Sequence, residues 1–289
     1  MSFSSESEPL LSQDEVNSEE KRGLCLLRPY RLQDEMAVKE LISEATMETV
    51  GEFFWAAILS EIFPQISFIA LAVGFVGFSL PFYYCLALIP AAVALIYVFI
   101  WSAHLFKTLE LHSDLSNIAN VYQKEPDTGF WVAEVYDNTL SSELSAHFNI
   151  TKKVLYDFIT EEDLDRKGIN LAEYKHRNVV GCVGLTHSNN TQLGNARKAW
   201  LRRFAVKKEY RRRGIASNLL EFVIAVTRRH NYKNLELITT HCHHQAREMY
   251  MKAGFSVMMN TRHYLNVPQP TYHFSLPIKP SDTTIKKNE

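Results

Sequence analysis

Residues Trp200–His230, WLRRFAVKKEYRRRGIASNLLEFVIAVTRRH, decide the fold. Leu201 to Val206 has the length and near-alternation of a strand, Lys207 to Tyr210 is a charged turn, and from Ile215 to Thr227 apolar residues recur at helical spacing. Between strand and helix stand Arg211, Arg212, Arg213 and Gly214. A helix N-terminus carries partial positive charge, so three arginines ahead of one are unfavourable unless an anion sits among them. Gly214 lets a bulky ligand approach the backbone, and the free N–H groups of Ile215, Ala216 and Ser217 in the first turn would point at it. The pattern predicts a cradle for a phosphate or diphosphate. Its plain alternative is a basic turn whose arginines extend into water.

Arg211-x-x-Gly214-x-Ala216 resembles the R/Q-x-x-G-x-G/A signature of the GCN5-related N-acetyltransferases, which bind acetyl-coenzyme A, and it sits between a strand and a helix as theirs does. Downstream, Ala246 to Phe255 (AREMYMKAGF) resembles the A-x-x-x-Y-x-x-x-G-F segment near the end of the same fold. The resemblance implies an α/β architecture, a mixed sheet flanked by helices, with acetyl-CoA as co-substrate. It implies that Phe204, Ala205, Val206, Arg211, Arg212, Arg213, Gly214, Ile215, Ala216 and Ser217 contact the cofactor. His243 falls where the fold often has an asparagine contacting coenzyme A, and Tyr250 falls at the position of the catalytic acid.

The totals narrow the class. The 289 residues carry a net charge of −1, which gives no global attraction to nucleic acid. Cys25, Cys85, Cys182 and Cys242 are widely spaced, which favours reduced thiols over a disulfide framework or a cysteine-based zinc site. Residues 1–22 are rich in Ser and Glu without helical or strand period and read as a disordered tail. Leu24 to Arg28 reads as a strand ended by Pro29, and Leu32 to Glu48 as a helix, so 23–61 is the N-terminal part of the catalytic domain.

Ile62 to Ala103 contains no Asp, Glu, Lys or Arg. One bilayer crossing takes roughly 20 apolar residues, so 62–103 is about two crossings long. Either a tight two-span hairpin or a re-entrant wedge satisfies this length. If Leu24–Arg28 belongs to the same sheet as Trp200–Val206, the chain must enter the bilayer and return, which places a transmembrane hairpin inside the α/β domain. A membrane block at this place resembles the camello-like N-acetyltransferases, including the cysteine-S-conjugate and aspartate N-acetyltransferases of the endoplasmic reticulum. FWVAEVYDN, VVGCVGL, LRRFAVKKEYRRRGIA and MYMKAGF carry that likeness. The chain ends Lys286-Lys287-Asn288-Glu289, which resembles a dilysine retrieval signal and implies a reticulum membrane with the enzyme facing the cytosol. The sequons at Asn149 and Asn189 would then stay unmodified.

The rest of the catalytic domain is expected over 104–277, followed by a flexible tail at 278–289. Phe130–Tyr136 and Val179–His187 read as strands, and the residues between them as a helical insertion at about 138–178. For amine acetylation the acceptor must be neutral, and Glu134 is the expected base with His187 as its rival. A backbone N–H of Phe204–Val206 would stabilise the oxyanion. Arg203 is expected to bind the carboxylate of a small amino-acid-like acceptor. The ligand types in His241-Cys242-His243-His244 cannot all converge from an extended chain, so no metal is expected. The expected partners are therefore a small-molecule amine and a lipid bilayer, and no nucleic acid. Acetylation of proteins at the reticulum and a non-catalytic membrane adaptor are the other readings.

Overall fold

A computed structural model describes residues 22–137, 155–187, 197–264 and 267–279. The sequons, the acidic tail and the terminal dilysine lie outside the described residues.

The strands are β1 (Arg22–Pro29), β2 (Gly129–Asp137), β3 (Leu155–Thr160), β4 (His176–His187), β5 (Lys198–Val206), β6 (Asn234–Thr240), β7 (Ser256–Tyr264) and β8 (Val267–Pro277). They form one mixed sheet in the order β3-β1-β2-β4-β5-β6-β8-β7. Neighbours run antiparallel except for β1 with β3 and β5 with β6. The helices are α1 (Glu35–Met47), α2 (Val50–Ile58), α3 (Ile62–Ala72), α4 (Phe82–Leu115), α5 (Ile118–Tyr122), α6 (Glu161–Lys167), α7 (Ile215–Arg229) and α8 (His244–Lys252).

Central strands covered on both faces must be apolar on both faces. In β1, Cys25 and Leu27 enter one core layer while Leu24 and Leu26 enter another. The main layer is closed by α7, whose Ile215, Leu219, Leu220, Val223 and Ile224 are buried at helical spacing against Ala133, Val183 and Leu201. Burying a side chain of this kind contributes about 1.5–3 kcal/mol, so this face holds α7 in register against the sheet. The opposite layer joins Val38, Leu41 and Ile42 of α1 to Leu111 and Leu115 of α4, over Val132 and Cys182.

One expectation changes. The insertion before β4 is not simply helical: Leu155–Thr160 is an edge strand, parallel to β1, before the short α6. Its aromatic and β-branched residues suit a strand, and Tyr156 and Ile159 are buried on opposite faces. The apolar block is also asymmetric. α3 and the π-helical turn Val73–Gly77 give a first arm about 24 Å long, short of a 30 Å hydrocarbon layer. After a break at 78–81, Phe82–His112 is long and apolar enough to cross a membrane. The bent pair Leu32–Ile58 and Ile62–Gly77, kinked by 57°, passes the same test only when taken together.

Candidate active site

β5 and β6 pair only from Lys198↔Asn234 to Trp200↔Glu236 and then separate. Beyond that rung, the edge of β5 facing β6 has no strand partner among the described residues from Leu201 to Val206, so its backbone groups line a fork. A bulge enlarges the opening. Cys182 opposes Ala205 and Gly184 opposes Arg202, which leaves Arg203 and Phe204 against the single residue Val183. Arg203 takes φ +52, and its carbonyl accepts the Cys182 thiol at 3.2 Å.

At the end of β5 the chain turns through Lys208–Tyr210 into Gly214, the N-cap of α7, with φ +84. No side chain caps this helix, which leaves its first-turn N–H groups open to a ligand. The three arginines are used differently. Arg211 donates to the Val206 carbonyl (3.0 Å) and grips both Glu48 oxygens at 3.0 and 2.6 Å. Arg213 lies over the Tyr156 and Tyr210 rings and donates to the Tyr156 hydroxyl at 3.0 Å. Arg212 is exposed, with φ +62 and no ion pair among the described residues. Part of the charge relief expected from a ligand therefore comes from Glu48 and two aromatic faces.

Tyr250 of α8 packs beneath the fork against Phe204, Phe255 and Phe274, with ring centroids 6.3, 5.7 and 5.4 Å away. Burial raises its phenol above the ordinary value, so it keeps its proton. Its hydroxyl has no protein hydrogen bond among the described residues.

Glu134 does not fit the expected base. It is 1% exposed, accepts from Arg28 at 2.6 Å and from the Tyr136 hydroxyl at 3.0 Å, and is also bound by Arg177. Burial opposes its ionisation, but the hydrogen bonds from Arg28 and Arg177 outweigh it and hold the carboxyl below its ordinary value. A carboxylate with both oxygens engaged and a lowered pKa is a poor proton acceptor. With Arg28 and Asp34 it forms a buried ion cluster. His187, its rival, pairs with Ala199 at the closed end of the fork, about 17 Å along β5 from Phe204 at strand rise. There Nε2 meets Glu125 at 2.6 Å and Asp127 at 3.3 Å. These three residues are a group that can gather metal-ligating atoms, within 4.8 Å of one another, but the Arg197 guanidinium also rests on Asp127. Residues 241–244 form no such group among the described residues. His243 is exposed, occupies the N-cap position of α8 without a side-chain capping bond, and shares a 3.0 Å hydrogen bond with Thr240.

Sequence reasoning missed the roof of the fork. The corner between α1 and α2 crosses its open end. Glu48 reaches the β5 side through Arg211, while Phe53 reaches His241, just beyond β6, at 5.6 Å edge to face. The spacing Glu48-x-x-x-Glu52-Phe53, just ahead of the apolar block, was the available signal.

Residues 133–255 match the family described as "Acetyltransferase (GNAT) family", a span that starts in β2 and ends just past α8. The matched stretch carries the GNAT fold. Among solved structures, the chain is similar to an acetyltransferase of GNAT family from Staphylococcus aureus Mu50, with a TM-score of 0.43, 16% identity, and 87% of this chain and 99% of that one covered. It is also similar to the NatC complex bound to Gag peptide and CoA (0.43, 17%, 89% and 99%) and to Arabidopsis thaliana NAA60 in complex with a bisubstrate analogue (0.38, 15%, 59% and 84%). Likenesses this distant carry no argument of their own. The curated proteins contain no significant match. The chain is an acetyl-CoA-dependent acetyltransferase.

Proposed function

We propose that this GNAT acetyltransferase is anchored in a membrane and moves the acetyl group of acetyl-CoA to the amine of a small amino-acid-like acceptor. The observation that carries the reading is the arrangement of the fork: an unpaired β5 edge, an uncapped helix N-terminus at one end and a buried, protonated tyrosine beneath. In this account the diphosphate rests on the N–H groups of Ile215, Ala216 and Ser217, near Arg212. The pantetheine arm pairs with the free β5 edge, and a backbone N–H in Phe204–Val206 meets the oxyanion. The neutral amine attacks the thioester carbonyl directly, the C–N bond forms as the C–S bond breaks, and Tyr250 protonates the leaving thiolate.

Arg203 supports the acceptor class. It stands in the β5 bulge beside Phe204, opposite Val183. A guanidinium at that bulge suits an acceptor carboxylate. The anchor is supported by Phe82–His112, of whose most apolar window only 6% is buried, and by exposed Phe68, Ile69, Leu95 and Phe99. An endoplasmic reticulum membrane with a cytosolic catalytic face completes the proposal.

The test is acetyl-CoA turnover by the detergent-purified full chain against S-benzylcysteine, aspartate, a lysine peptide and a free N-terminal peptide. Turnover with the first two supports the proposal; turnover confined to the peptides replaces its acceptor class. Recovery in the soluble fraction of expressing cells would remove the anchor, and glycans on Asn149 or Asn189 would reverse the topology.

A further inference from the structure

The mechanism above leaves the amine proton without a destination. Glu134 and His187 are committed elsewhere, yet the fork has an imidazole at its β6 lip. His241 follows Thr240, the last residue of β6, and meets the roof through the Phe53 ring. Its carbonyl is held by Arg247 Nη2 at 3.3 Å, and its Nε2 stands 3.4 Å from Cys242 Sγ. Its Nδ1 is buried and has no hydrogen-bond partner among the described residues. A sealed, unpaired ring nitrogen costs free energy unless something arriving at the site uses it.

We infer that His241 is the general base, taking the proton that the acceptor nitrogen sheds as it bonds to the acetyl carbon. This rests on the proposed acetyl transfer and assigns one further residue to it. An amine reaching a thioester in the fork passes beneath α2 and beside the β6 lip, where His241 stands. As the C–N bond forms, the nitrogen becomes cationic and gives one proton to the imidazole. The electron pair of the breaking C–S bond leaves on sulfur, which takes the phenolic proton of Tyr250. Water then carries the proton from His241 back to Tyr250, so a neutral amine is acetylated with no net proton change.

The groups facing the ring make it neutral and ready to accept. Burial lowers its pKa most, the Arg247 charge lowers it further, and Glu52 of α2 opposes both. His243 and the Cys242 thiol, itself raised by burial to about 11, complete the surroundings and add no fixed charge near neutrality. Glu52 is placed to stabilise the imidazolium as it forms.

The test follows kcat/KM against pH for the full chain in detergent, with whichever amine of the panel above turns over fastest, beside acetyl-CoA affinity by calorimetry. His241→Gln should bind acetyl-CoA normally, lose about 10²-fold in kcat/KM and lose the acid limb. Glu52→Gln should move that limb to lower pH, because its charge no longer favours the protonated ring. A His241→Gln protein that binds acetyl-CoA and keeps rate and limb overturns the assignment. If that variant fails to bind acetyl-CoA, Glu52→Gln decides alone, and an unmoved limb overturns it. Native turnover with an indifferent His241→Gln sinks this inference only, whereas no native turnover with any amine sinks it together with the proposed function.

Discussion

Glu48 and Arg211, 163 residues apart, form a two-pronged ion pair that ties the corner before the apolar block to the nucleotide loop. Both partners are about one-third exposed, which limits the pair's stabilising effect to about 1 kcal/mol. Its larger consequence is electrostatic, since Glu48 competes for a cation beside the diphosphate cradle. Glu48→Gln should therefore tighten acetyl-CoA binding by about fivefold, as read by calorimetry, and Arg211→Ala should weaken it.

Hydrogen bonding from Arg211, opposed by burial, holds Glu48 below its ordinary value of 4.5. A carboxyl lowered by folding adds stability at pH values above its unfolded pKa, and that stability is lost as pH falls through the folded one. Asp34 and Glu134 are lowered in the same sense. Thermal midpoints should fall as pH drops below about 4.5, less steeply in Glu48→Gln.

Gly214 should not tolerate a side chain. At φ +84 an L-residue costs about 1–2 kcal/mol even where neighbours leave room, as they do here at 3.5 Å and beyond. Gly214→Ala should lower the melting temperature by several degrees and weaken acetyl-CoA binding in calorimetry.

Tyr250→Phe separates chemistry from packing. The hydroxyl has no protein partner among the described residues while the ring touches three aromatic neighbours, so stability should stay within about 0.5 kcal/mol. The rate should fall by about 10²-fold with acetyl-CoA affinity unchanged. Tyr250→Ala empties the space beneath the fork and should cost about 3–5 kcal/mol, measured by denaturant unfolding.

Arg28 is fully buried between Asp34 and Glu134. Arg28→Met leaves buried Asp34 without its ion partner and Glu134 with Arg177 alone, and should cost about 3–5 kcal/mol. Glu134→Gln should lower stability while leaving the acid limb of kcat/KM in place, the opposite of what a general base would do.

Local sequence determined β1, β2, β4 and β5, the α7 start and the apolar block, because each is written in contiguous residues, whereas β3 lay in a stretch that read as helical. Arg211-x-x-Gly214 sits between an alternating run and a 3.6-period run, and a left-handed N-cap is readable from glycine alone. Forty-two residues without a charge need no partner to be recognised as a membrane candidate. Only the tertiary structure decided which charges are free. Glu134 looked like a base because strand alternation cannot show that Arg28 and Arg177 converge on it from β1 and β4. Arg211 looked free to bind phosphate because nothing nearby in sequence reveals Glu48. His241 stood in a run from which no metal site was expected, and its nitrogen, unpaired among the described residues, is set only once α2 closes over β6. Backbone preference acts over a few residues, whereas the protonation and availability of a side chain depend on whatever the fold packs against it.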